Sequence, residues 1–121
     1  KEIIAYAPQF MGGVNISVAD VNDDGVADIV TGAGATGGPH VKVFKYNGSV
    51  IASFFAYKSS FSGGVEVEAG DWDNDDEVDI ITAPGPGGGP HIKIFTNIGG
   101  FKAEFFPFSS NFTSGINIAV M

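Results

Sequence analysis

Apolar and polar positions alternate along this chain in short runs, and the runs recur. Val14, Ile16 and Val18 alternate with Asn15 and Ser17, and Val65, Val67 and Ala69 alternate with Glu66 and Glu68. A period of two is that of a half-buried strand. The β-branched stretches Asp28 to Thr31 and Asp79 to Thr82 read as second strands. After a glycine-rich bend come His40 to Phe44 and His91 to Phe95, which read as third strands. Asn47-Gly48 and Gly99-Gly100 are hairpin turns into fourth strands that carry Ala52 to Tyr57 and Ala103 to Phe108. Pro107 in the latter fits only at an edge or a strand end. The pattern predicts no helix.

The recurrence is a repeat. An offset of 51 residues aligns 10–60 with 61–111 without a gap, and 21 of the 51 positions are identical. The chain divides into a partial unit at 1–9, full units at 10–60 and 61–111, and a partial unit at 112–121. Ile3 to Ala7 matches a fourth strand, and Ile116, Ile118 and Val120 match a first strand. A repeat of this length is in the range of propeller blades, each a small sheet that cannot bury both faces alone. The expected fold is all-β, with four-stranded antiparallel blades, about two and a half of them in this chain.

Each first strand leads into an acidic loop. Asp20, Asn22, Asp24 and Asp28 stand at positions 1, 3, 5 and 9 of the first, and Asp71, Asp73, Asp75 and Asp79 at the same positions of the second. Side-chain oxygens at this spacing let a tightly wound backbone surround a hard cation, and two calcium sites are expected. An EF-hand would close with Glu at position 12, but Thr31 and Thr82 stand there, so position 9 is the expected bidentate closing ligand. The Val26 and Glu77 carbonyls complete the two expected ligand sets. The second loop has the greater ligand charge. The first has Gly25 where the backbone needs positive φ, and the second has Asp76 there at a cost of about 1 kcal/mol. The alternative is a pair of acidic turns without metal, since Asp, Asn and Gly are ordinary turn residues.

The charge of −8 comes from 14 acidic residues against six lysines, and ten of the acids lie in the two loops. Two bound calcium ions would bring −8 to −4, so the acidity reads as metal chemistry rather than as a surface for a basic partner. Without a basic stripe, nucleic-acid binding is not expected, and without a long apolar run neither is membrane insertion. The absence of cysteine excludes disulfides and thiolate ligands. Sites of this kind stay filled at extracellular calcium levels, which predicts a secreted or cell-surface setting.

The run Gly-Gly-Val-x-Val, then Asp-x-Asn/Asp-x-Asp-Gly-x-x-Asp-Ile, then Gly-Gly-Pro-His-Val-Lys-Val-Phe resembles the FG-GAP repeats of integrin-α-like β-propellers, in their bacterial surface-protein form. The resemblance covers essentially the whole chain. Asp76 in place of Gly and Gly34 in place of Pro depart from it. It implies a ring of about seven blades with calcium between the first and second strands. Further blades would come from the same chain or from other chains, as in a homo-oligomer. The implied function is non-catalytic: protein binding, adhesion or scaffolding, with calcium structural. Similar repeats occur in sugar-binding lectins and in polysaccharide-degrading enzymes, which gives a glycan ligand as the alternative.

Gly32 to Gly37 matches a dinucleotide-binding GxGxxG, but a strand rather than a helix is expected after it, and the reading is rejected. His40 and His91 are equivalent by repeat and are expected to be structural, with a ring nitrogen on a loop carbonyl. Trp72, at the loop position held by Val21, and the pairs Phe54-Phe55 and Phe105-Phe106 are expected to pack between blades. In an open fragment the phenylalanines would instead form an exposed patch.

Overall fold

The computed structural model describes residues 13–34, 36–89 and 91–106. Eight strands follow in order: β1 (Val14–Ala19), β2 (Asp28–Ala33), β3 (His40–Phe44), β4 (Val50–Phe55), β5 (Val65–Gly70), β6 (Asp79–Pro84), β7 (Ile92–Thr96) and β8 (Phe101–Phe105). They form two antiparallel four-stranded sheets, β1-β2-β3-β4 and β5-β6-β7-β8, and no helix occurs among the described residues. The described residues are all-β, and the repeat is a repeat of sheets. Ser17 faces Val30 as Glu68 faces Ile81, and Val43 faces Ala52 as Ile94 faces Ala103. The partial units expected at 1–9 and 112–121 lie outside the described residues, as does Pro107.

Strand ends differ from the sequence reading for local reasons. Each hairpin closes on a glycine in the left-handed region, Gly48 at φ 94° and Gly99 at φ 96°. The Gly48 N–H donates to Lys45 O at 2.9 Å and the Lys45 N–H to Ser49 O at 2.8 Å. This tight turn with a left-handed final residue lets pairing begin at once, so β4 starts at Val50 and β8 at Phe101. Tyr57, expected in the fourth strand, leaves it. Its hydroxyl donates to Thr82 O at 3.0 Å in the other sheet and also contacts the His91 carbonyl just ahead of β7.

The two sheets share one core. Val30, Val41, Val43 and Ala52 of the first meet Val65, Val67, Ile80 and Phe95 of the second, each fully buried valine or isoleucine contributing ~1.5–3 kcal/mol. Gly32 lets β5 come close. A Cβ there would collide with the Val65 carbonyl oxygen and lie 2.9 Å from Val65 Cγ1 and 3.0 Å from Val67 Cγ1.

β5 covers the polar face of β1. Asn15 Nδ2 donates to Val65 O at 2.7 Å, and Ser17 Oγ donates to Glu68 Oε1 at 3.0 Å while accepting the Ala69 N–H at 3.1 Å. The expected half-burial of the first strand through its apolar residues therefore holds for β5 and fails for β1. Val65 is 1% and Val67 5% exposed, whereas Ile16 is 62% and Val18 61% exposed. Alternation tells which residues share a face, and the second sheet happens to sit on the other one. A similar asymmetry corrects the aromatic reading. Phe54 packs on Phe95 with ring centroids 4.9 Å apart, but Phe55, Phe105, Phe106 and Trp72 are exposed. The face of the second sheet that carries Ile81, Ile92 and Ile94 forms only a small cluster of its own.

Candidate metal loops

Each acidic loop joins the first two strands of its sheet, and the two are built alike. Asp20 opens the first loop and accepts the Asp24 N–H on Oδ1 at 3.0 Å and the Gly25 N–H on Oδ2 at 2.7 Å. Asp71 accepts those of Asp75 at 3.0 Å and Asp76 at 2.8 Å. The fifth position takes the N–H two residues on: Val26 to Asp24 Oδ1 and Glu77 to Asp75 Oδ1, each at 2.9 Å. The ninth closes the loop, with Asp28 Oδ2 accepting the Val21 N–H at 3.1 Å and Asp79 Oδ2 the Trp72 N–H at 3.2 Å. These bonds are short-range, so the loop's own sequence shapes it. Positive φ falls where expected, 84° at Gly25 and 67° at Asp76, and also at Asp23 and Asn74, which the sequence reading missed. Asn and Asp are the side chains that tolerate that region best.

Asp20, Asp24 and Asp28 come together in the first loop, and Asp71, Asp73, Asp75 and Asp79 in the second, with one oxygen of each within 4.8 Å of the others in its group. Asn22 joins the first group. Its amide nitrogen, in the orientation that satisfies both ends of the amide, donates to Asp24 Oδ1 and to Asp20 Oδ1, each at 3.1 Å. Val26 and Glu77, expected to contribute carbonyls, are held in their loops by their N–H groups.

Burial sharpens the demand for positive charge. Asp28 and Asp79 are each 1% exposed, and a buried carboxylate beside other carboxylates is stabilised by its N–H bond and by a cation that reaches it. The donor set, all oxygen and mostly carboxylate, suits a hard metal ion. Desolvation pushes the Asp20 carboxyl up, but the Gly25 and Asp24 N–H bonds outweigh it and hold the group below its ordinary value. The Glu77 N–H bond does the same for Asp75, against desolvation and with help from Lys102.

Lys102 is the site residue that spacing alone does not reveal. It lies on β8, yet its Nζ stands 2.8 Å from Asp79 Oδ1, 2.9 Å from Asp73 Oδ2 and 3.4 Å from Asp75 Oδ2. The Asp79 and Asp73 bonds, in that order, raise its pKa further above the ordinary lysine value. The two loops face each other across a cleft of about 180 Å³ lined by Asp20, Asn22, Asp23, Asp76, Glu77 and Asn97. Asn97 Nδ2 crosses between the sheets to donate to Val21 O at 2.6 Å.

The histidines are structural partners of a neighbouring strand rather than of a loop carbonyl. His40 Nε2 bonds Ser53 Oγ at 2.7 Å, and His91 Nε2 bonds Glu104 Oε1. The Gly32 to Gly37 motif ends ahead of β3, a strand, so the geometry of a dinucleotide loop is missing. Comparison with protein families, with characterised proteins and with solved structures finds no match for this chain.

Proposed function

We propose that the chain is a segment of a calcium-binding β-propeller, a non-catalytic module of a secreted or cell-surface protein that binds a protein partner or serves as scaffold. One observation carries this reading: two loops 51 residues apart gather their carboxylates with the same set of backbone N–H bonds. A turn needs no such gathering; a cation does. Asp20, Asn22, Asp24, Asp28 and the Val26 carbonyl would hold the first ion. Asp71, Asp73, Asp75, Asp79 and the Glu77 carbonyl would hold the second. Calcium suits this set because it accepts six to eight oxygens, bidentate carboxylates included, in flexible geometry.

The ions are structural in this reading, since each loop ties two strands of one sheet at the sheet's edge. Further units of the same repeat then cover the two outer faces. What supports this is the inner interface, where the second sheet presents Val65 and Val67 to the first while the equivalent Val14 and Ile16 lie open. Isothermal titration calorimetry with calcium, paired with thermal melting in calcium and in chelator, tests the proposal. Two ions per chain and a higher Tm in calcium are expected, with each site adding about 2.7 kcal/mol at a hundredfold excess over Kd. No uptake at millimolar calcium, or an unchanged Tm, would overturn it.

A further inference from the structure

We infer that Lys102 gives the second loop a cation of its own, so that a metal ion fills that loop only by displacing an ammonium, and the two loops differ in how they depend on metal. The inference rests on the reading of both loops as divalent-cation sites. Its observation is a paired difference between the repeats. Position 3 is neutral Asn22 in the first loop and Asp73 in the second, and the strand position that carries Lys102 in the second unit carries Ile51 in the first. The added carboxylate comes with an added ammonium, and the two touch at 2.9 Å. Counting the gathered side chains, three carboxylates give −3 in the first loop, and four with Lys102 give −4 + 1 = −3 in the second.

The two loops therefore carry equal charge by different means. Ile51 packs beside the inter-sheet core and leaves the first loop without a charge from that position. Lys102 contacts three of the four gathered carboxylates of the second loop, among them Asp79, the buried one. An ammonium within hydrogen-bond reach of those oxygens excludes a divalent ion from the same oxygens by charge and by contact. Its four-carbon stem allows it to swing out to solvent when an ion enters. The second loop is thus held together without metal and binds metal against an internal competitor. The first has no such substitute among the described residues.

Trp72 is the chain's single tryptophan and its backbone N–H bonds Asp79, so its fluorescence reports on the second loop. The test is a calcium titration followed by that fluorescence, with calorimetry for total uptake, on the wild type and on Lys102→Met, Lys102→Gln and Lys102→Arg. Gln keeps a hydrogen-bond donor near Asp79 and guards against a folding defect in the Met variant. Removing the competitor should lower the fluorescence midpoint about tenfold in K102M and K102Q, an order set by losing a small ion-pair network. K102R, which keeps the charge, should titrate nearer the wild type. In chelator both neutral variants should melt below the wild type, the opposite direction to their gain in calcium affinity. Two bound ions with an unchanged or raised midpoint in both neutral variants would overturn the role of Lys102 and leave the metal reading standing. No uptake by any of the proteins would overturn both.

Discussion

His40 shows how one side chain can carry a pH dependence. Its ring bonds Ser53 Oγ and lies against Phe55 with centroids 4.8 Å apart. Burial, and then the charge of Lys42, lowers its pKa from 6.5. The folded chain therefore holds this proton less tightly than the unfolded chain, and protonation favours unfolding. The stability His40 contributes is present above pH 6.5 and is lost as pH falls through the lower, folded value. An NMR titration of the His40 ring protons should give a midpoint below 6.5, and His40→Asn should flatten the decline of Tm on mild acidification. A midpoint at or above the free value would refute the assignment. At this scale the sequence was informative where chemistry is local. Carboxylates at positions 1, 5 and 9 gather because bonds within nine residues gather them. Lys102 stayed hidden because it reaches the loop only through the pairing of β8 with β7 and β7 with β6.

Strands were legible for the same reason and their surroundings were not. Turn glycines and β-branched runs located all eight strands to within a few residues, but a period of two does not say which face another sheet will cover. β1 and β5 have the same pattern and opposite fates, as Ile16 at 62% and Val67 at 5% exposure show. Ile16→Ala should then cost under about 1 kcal/mol in urea denaturation, while Val67→Ala should cost about 2 kcal/mol through the cavity it leaves between the sheets. Comparable costs would mean that the apolar face of β1 is covered in solution. Trp72 belongs to the same lesson. Its counterpart Val21 is 3% exposed because the second sheet lies over it, and Trp72 at 44% has no such cover among the described residues.

For the molecule as a whole, the dominant electrostatic fact is that ten of 14 acidic residues are concentrated in two loops that share one cleft. Without divalent ions their mutual repulsion opposes folding, and screening relieves it. In chelator, raising sodium chloride from about 20 mM to about 500 mM should raise Tm, and in saturating calcium the same change should have little effect. A salt response equal in both conditions would show that the loops are not where the repulsion resides. The net charge alone forecasts neither outcome, because it does not reveal that the two loops are neighbours. That neighbourhood has a hinge. Asn97 grips the backbone of the first loop, and five residues later (102 − 97 = 5) Lys102 grips the carboxylates of the second, so a single turn of chain has a hand on each. Loosening either loop slackens the turn that steadies the other. An emptied first loop should accordingly be felt at the second through this turn, although Lys102 leaves the second the less dependent on metal.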